Sequence, residues 1–181
     1  MNMNDLRVKK TRKNIFDTFI KLLKRKTLEE ITISEICKEA EINRGTFYAH
    51  FLGKEELFQE YFNEVIGLLE VKYRQVYERN TSSSESTITP LFEHVLEHKD
   101  FYEIIFSEHA PIKYMNLYHQ TIMDVSMNLN LKMLPFNLNR ELYLSMITSA
   151  TIGMIMYWKR HQYQLSIEEM NKHLMHFFQK Q

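Results

Sequence analysis

Two capping signals, at Thr32 and Asn43, constrain the folding of this chain more than any other feature. Thr32 followed by Glu35 has the S/T-x-x-E form of a capping box, so a helix is predicted to start there, and Ile33, Ile36, Cys37 and Ala40 then recur at helical spacing. After the short break Glu41-Ile42-Asn43, the Asn43 side chain can cap a second helix whose inward residues, Phe47 and Phe51, lie four apart. The product is two short helices on one tight turn.

In a helix-turn-helix the second helix enters the DNA major groove and presents its N-terminal residues to base edges. Arg44, Gly45, Thr46, Tyr48 and His50 are therefore the candidates for contact. An arginine can donate in bidentate fashion to guanine, whereas Thr and Tyr hydroxyls and a His ring suit phosphate oxygens, which position a protein without reading sequence. Gly45, lacking a side chain, lets the backbone come close. Taken singly, Tyr48 and His50 could simply pack on the first helix and Thr46 could serve helix geometry; together and in this order they point to DNA, with Phe47 and Phe51 core in either case.

These residues resemble the TetR family of transcriptional regulators. The likeness runs from about Lys10 to Leu69 and is strongest in ITISEICKEAEINRGTFYAHFLGKEELF, where Thr46, Tyr48, His50, Phe51, Lys54, Glu55 and Leu57 fall on the pattern T-[FL]-Y-x-H-F-x-x-K-E-x-L. The resemblance implies that Tyr48 and Lys54 contact phosphates, that Thr32 and Ser34 also face the DNA backbone, and that Arg44 and Thr46 stand nearest the bases. Two positions depart from the pattern. Glu41 occupies a place where the family usually has Gly, which strains or lengthens the turn, and Gly53 replaces the Ser, Asn or Asp usual before Lys54, which weakens that cap.

A formal net charge of zero fits DNA binding only once the charges are located. Residues 1–26 hold nine Lys or Arg against Asp5 and Asp17, a surplus of seven, which the rest of the chain must offset. This basic arm, Lys9 and Lys10 included, is expected to supply the sequence-independent electrostatic part of DNA affinity. A solvated charged face is the bland alternative for any such run.

Only four Gly and three Pro punctuate 181 residues, which favours long helices over sheets. The fold class expected is all-α: a three-helix DNA-binding domain over 1–53 and a larger helical ligand-binding and dimerisation domain over 54–181. Helices are predicted at about 5–26, from Thr32, from Asn43, at 54–79, 90–98, 100–108, 111–134, 139–162 and 166–181. Ile15, Phe19, Leu22 and Leu23 should face inward on the first. The Ser- and Thr-rich segment 81–90 is the clearest loop, Pro90 can open the helix after it, and Ser166 with Glu169 offers a second capping box. The helix from Lys54 is long enough to serve both domains and reads as their mechanical link.

Leu142 to Trp158 carries no charge, but at this length and with Ser145, Thr148, Ser149 and Thr151 inside it, it reads as a buried or interfacial helix instead of a membrane span. Ser145, Ser149 and Gly153 recur every four residues, a stripe of small side chains that lets another helix approach. Leu174 and Phe177 follow on the last helix. In the resembled family the last two long helices pair with their copies in a four-helix bundle, which implies a homodimer.

No catalytic constellation is present: there is no phosphate-binding Gly-rich loop and no convincing Ser-His-Asp order. The single cysteine, Cys37, falls on an apolar helix face and reads as core; with no signal peptide, the cytoplasm is the expected compartment. His94 with His98, and His173 with His176, could each put two imidazoles on one helix face, yet no Cys or carboxylate set accompanies them, and no metal or other cofactor is expected. Phe62, Ile66, Phe106, Tyr118, Met146, Met154 and Trp158 could line a cavity for a hydrophobic or flat small-molecule effector. The function expected is a homodimeric repressor that leaves a palindromic double-stranded operator when that effector binds. An activator, or a regulator controlled by a protein partner, would share the fold. An all-helical enzyme or binding protein is the rival from another class.

Overall fold

The computed structural model describes residues 3–79, 89–107, 112–128 and 139–179. Every regular element among them is an α-helix: α1 (Met3–Leu23), α2 (Ile33–Glu39), α3 (Arg44–Tyr48), α4 (Lys54–Arg79), α5 (Thr89–Glu97), α6 (Lys99–Ile105), α7 (Ile112–Asn128), α8 (Arg140–Arg160) and α9 (Ile167–Gln179). Most of the loop expected at 81–90, and the end of the helix expected at 111–134, lie outside the described residues.

The chain packs as two compact units, Met1–Val65 and Ile66–Gln181, so α4 contributes its first twelve residues to the first unit and the remainder to the second. The boundary expected after residue 53 follows helix order, whereas packing divides α4 itself.

In the first unit α1 stops at Leu23, three residues earlier than predicted, because the backbone turns over: Arg25 and Lys26 both donate their N–H to Leu22 O, at 2.9 and 3.0 Å. Ile15, Phe19 and Leu22 are buried and Leu23 is half-buried. Together with Ile36, Phe47, Phe51, Leu57, Phe58 and Phe62 they form an aromatic-rich core in which each fully buried large side chain contributes about 1.5–3 kcal/mol. Cys37 is in that core, and burial pushes its thiol up from the ordinary range.

In the second unit α7 packs on α8 and α5 on α9. The α9 capping box forms in both directions: Ser166 Oγ accepts from Glu169 N at 3.1 Å while the Glu169 carboxylate accepts from Ser166 N at 2.7 Å. Asn139 caps α8 through Leu142 N at 2.9 Å, and Pro90 sits at the second position of α5, where its missing N–H costs nothing. Trp158 is fully buried and its indole N–H donates to Leu165 O at 2.9 Å, which pins the α8–α9 turn. That turn holds Gln162 and Tyr163 at φ of 53° and 57°. Lys159 braces it from α8, donating to Phe106 O at 2.9 Å and pairing with Glu103 at 3.4 Å. No helix is long and apolar enough to cross a membrane among the described residues.

Candidate nucleic-acid interface

The caps predicted from sequence form and set the geometry of the helix-turn-helix. Thr32 Oγ1 accepts from Glu35 N at 3.2 Å, and Asn43 Oδ1 accepts from Thr46 N at 2.7 Å and from Thr46 Oγ1 at 3.1 Å. Only half of the first capping box closes, because the Glu35 carboxylate turns to Lys26 Nζ at 2.6 Å, which holds its pKa below the usual value. Between the helices Glu41 adopts φ of 54°, in the left-handed region, so the position expected to be strained is so.

α3 presents an exposed face at its N-terminus. Asn43, Arg44, Gly45 and Tyr48 are exposed and Thr46 is half-buried, while Phe47 behind them is fully buried. Arg44 reaches toward Ser34 Oγ at 3.5 Å and Tyr48 Oη at 3.4 Å, long contacts that gather Ser34 of α2 and Tyr48 of α3 around one guanidinium. Thr32 and Ser34 at the start of α2 are exposed as well. Gly45 has a local reason as well as the close approach expected of it: a Cβ there would meet the capping Asn43 Oδ1 at 3.2 Å.

His50 is half-buried, and its carbonyl accepts from Arg12 at 3.3 Å. Arg12 lies over the Phe51 ring, 4.4 Å from its centroid, and pairs with Glu60, so one α1 side chain ties the end of the helix-turn-helix to α4. Asn14 does the same for α2, donating to Ala40 O at 2.7 Å. Neither role was apparent in the sequence, although Arg12 stands one turn before Phe16, the spacing of a cation over a ring on one helix face.

Lys54, expected at a phosphate, has protein partners of its own. Its ammonium donates to Leu28 O at 2.6 Å, Ile31 O at 2.7 Å and Glu29 O at 2.9 Å. Gly53 offers no side-chain acceptor to the first turn of α4, and the Glu56 carboxylate instead reaches back to accept from Leu52 N, which ties the preceding turn to the helix.

Lys9 and Lys10 are exposed on α1. Lys10 lines an open groove of about 670 Å³ with Arg7, Thr11, Lys13, Asn14, Asp17 and Ile42, in which Lys13 is paired to Asp17 at 3.1 Å. The first unit nonetheless carries twelve basic against eleven acidic side chains, so the charge separation expected between the arm and the rest of the chain exists within this unit: α1 is basic, and Glu55, Glu56, Glu60 and Glu64 of α4 are acidic.

The groups expected around an effector and a dimer contact all lie elsewhere. Ile66, Phe106, Tyr118 and Trp158 are buried in the second unit, Met154 is half-buried, and Phe62 is buried in the first unit. Met146, expected to face a cavity, is 53 % exposed; it shares a face of α8 with Leu142, Ser149, Gly153 and Tyr157, because positions 142, 146, 149, 153 and 157 follow the helical repeat. Ser145 is half-buried. Leu174, expected at the dimer contact, is 1 % exposed and already packed within its own chain, and the Phe177 side chain lies outside the described residues. The pair His94 and His98 has its rings 4.4 Å apart, with His94 Nδ1 3.0 Å from Tyr102 Oη. Among the described residues no group of three or more His, Cys, Asp or Glu could hold a metal ion.

Residues 15–61 match the family model for bacterial regulatory proteins, tetR family, and residues 82–180, more than half of the chain, match that for a transcriptional regulator C-terminal region. The chain belongs to the TetR family. This is a family of DNA-binding transcriptional regulators and not of enzymes. The TetR-family chain is 31 % identical over 106 residues to the HTH-type transcriptional regulator YuxN of Bacillus subtilis (strain 168), covering 56 % of this chain and 36 % of that protein. To AcrR of Shigella flexneri it is 31 % identical over 90 residues, covering 48 % of this chain and 40 % of that one. The matches thus span well under two thirds of the length of these curated relatives. Among solved structures, a TetR-family regulator from Syntrophomonas wolfei superposes with a TM-score of 0.75 at 17 % identity, over 94 % of this chain and 93 % of that one. The fatty acid degradation regulator FadR of Bacillus halodurans gives 0.73 at 16 % identity, over 93 % and 94 %. At such identities the likeness shows the fold alone.

Proposed function

We propose that this TetR-family regulator is a homodimeric repressor that binds a palindromic operator through α3 and leaves it when a small-molecule effector occupies the second unit. The observation that carries the reading is the polar face formed by exposed Arg44 and Tyr48 and half-buried Thr46 on α3 with exposed Thr32 and Ser34 at the start of α2, backed by a fully buried Phe47. In this reading Arg44 and Thr46 meet base edges, Tyr48, His50, Thr32, Ser34, Lys9 and Lys10 lie along the phosphates, and the Asn43 cap with Gly45 keeps the helix end close to the groove. Such a regulator works in the cytoplasm and has no catalytic step.

A palindrome calls for a two-fold protein, and the exposed stripe Leu142, Met146, Ser149, Gly153 and Tyr157 on α8 is the surface suited to pairing with a second copy. A Cβ at Gly153 would meet nothing within 4 Å of its own chain. Gly153→Leu is therefore expected to fold normally and to sediment as a monomer; a dimeric Gly153→Leu protein would reject this face.

The interior of the second unit favours an effector with a large apolar or aromatic body. One structure of the same fold, Thermus thermophilus FadR, is in complex with lauroyl-CoA (TM-score 0.58, 19 % identity, over 92 % of each chain). An activator remains the second reading, since the dihydroxyacetone kinase operon activator DhaS shares the fold at a TM-score of 0.56. The test of the main reading is selection of duplexes from a randomised pool by the full chain, followed by release with fatty acyl-CoA and other amphiphiles. Recovery of a palindrome supports it, and release by an amphiphile identifies the effector class.

A further inference from the structure

We infer that Lys54 is a positioning residue of the DNA-reading unit, whose ammonium holds the chain leading into α2 and so sets where Thr32 and Ser34 stand, instead of gripping a phosphate itself. The inference rests on the DNA face proposed above. A lysine ammonium has three N–H donors, and all three are committed, to Leu28 O, Glu29 O and Ile31 O at 2.6, 2.9 and 2.7 Å. A phosphate could be taken only by giving up one of these bonds.

The carbonyls need the lysine as much as it needs them. Neither Leu28 O nor Ile31 O accepts a backbone N–H among the described residues, and both residues are buried, 3 % and 0 % exposed. Without the ammonium these two oxygens would be left without a protein donor close to the core, which is costly. The helix dipole makes the same point from the other side. Lys54 is the first residue of α4, the helix end where a cation is disfavoured, and the three carbonyls offset that penalty.

The geometry then reaches the DNA face in one step. Ile31 immediately precedes Thr32, the N-cap of α2, and Ser34 lies in the first turn. The clamp thus fixes the entry of α2 against the start of α4, and α2 carries the two hydroxyls expected to lie along the phosphates.

The experiment uses the full chain and the duplex that the wild-type protein selects from a randomised pool of about 30 base pairs. Failure of the wild type to select any duplex would refute the proposed function before a variant is made. Lys54→Met is compared with wild type in two ways: amide hydrogen exchange over residues 27–33 without DNA, and DNA affinity across a salt series. Exchange in that segment is expected to quicken at least tenfold in the free protein, and affinity to fall about tenfold. The slope of log affinity against log salt should stay within about 0.3 of wild type, since a lost phosphate contact would lower it by about 0.9. Unchanged exchange, or a slope lowered by the full contact, would overturn the inference in favour of a phosphate ligand. Faster exchange with unaltered affinity would overturn it in favour of a purely structural clamp. If Lys54→Met does not fold, Lys54→Arg keeps the charge but replaces three convergent donors with a planar fork. Quickened exchange over 27–33 together with weakened binding in that variant supports the clamp, and wild-type exchange or wild-type affinity overturns it.

Discussion

The unit formed by Met1–Val65 turns its polar chemistry outward, with Arg44, Tyr48, Thr32 and Ser34 exposed, whereas the unit formed by Ile66–Gln181 turns its own inward. There His94 and Tyr102 are fully buried and Tyr118 nearly so, with His94 Nδ1 3.0 Å from Tyr102 Oη and Tyr102 in turn bonded to Tyr118. Burial pushes both phenols well above the ordinary tyrosine range. A surface of short, locally supported side chains suits a ligand that is itself charged and wet, such as a duplex. A buried row of hydroxyls with an imidazole in an aromatic interior is satisfied internally, and it exchanges partners only when the surrounding packing changes.

Both units fasten a turn with a lysine that donates to main-chain carbonyls, Lys54 in the first and Lys159 in the second. Both also place side-chain-bearing residues in the left-handed region, Glu41 in one, and Gln162 and Tyr163 in the other. The difference lies in what the braced turn presents: the start of α2 with Thr32 and Ser34 exposed in the first unit, and the junction of α8 with α9 in the second.

The sharpest way to break this comparison is to empty each core separately. Phe47→Ala should cost about 3–5 kcal/mol, melt the first unit and abolish DNA binding. Trp158, the only tryptophan, lies in the second unit and should keep its buried emission. Simultaneous loss of both signals would show that the two units fold as one.

Next in size is an alkaline effect confined to the second unit. A group whose pKa is raised by folding leaves stability unchanged below its unfolded value and removes it as pH climbs above that value. Buried Tyr102 and Tyr118, with an ordinary value of 10.0, should therefore each cost about 1.4 kcal/mol per pH unit above about 10. Trp158 emission should report the loss, and Tyr118→Phe should shift it to higher pH; an unshifted transition would remove these phenols from the account.

A smaller effect should distinguish the two strained turns. Glu41→Gly relieves a left-handed residue at some cost in chain entropy and should stabilise the first unit by about 0.5–1 kcal/mol, seen as a raised melting temperature. Gln162→Gly should do likewise for the second. The smallest effect is acidic. Lys26 holds Glu35, Lys72 holds Glu97, and Ser166 holds Glu169 below the ordinary carboxylate value of 4.5. Their contributions are present above that value and are lost as pH falls beneath it; flat stability from pH 6 to 3 would contradict them.

What could be read from sequence divides along the same line. The helix-turn-helix was legible because its determinants are local: Thr32 with Glu35 and Asn43 with Thr46 act over three residues, as Ser166 with Glu169 does at the start of α9. The strain at Glu41 was legible from the resemblance, because the family usually has Gly at that position. Lys54 was not, because its partners lie 23 to 26 residues away and nothing in its own neighbourhood announces three carbonyls. Met146 and Leu174 exchanged their expected surroundings, with Met146 exposed and Leu174 buried. Met146 sits on α8, which is apolar around much of its circumference, so spacing alone does not choose its inner face; Leu174 lies on the single apolar face of α9, and that face packs on α5 within its own chain. His94 read as one of a possible metal pair, and only the fold brings Tyr102 to it, eight residues on and across the α5–α6 turn.

The central claim, that the exposed face of α3 reads DNA sequence, is tested most directly by binding the full chain to its selected duplex and to a scrambled one of equal length, with wild type and Arg44→Ala side by side over a salt series. Wild type should prefer the selected duplex, and its affinity should fall steeply with salt. Arg44→Ala should lose about 1–3 kcal/mol of that preference while still binding both duplexes. Equal affinity of the wild type for the two duplexes, or an undiminished preference in Arg44→Ala, would contradict the account.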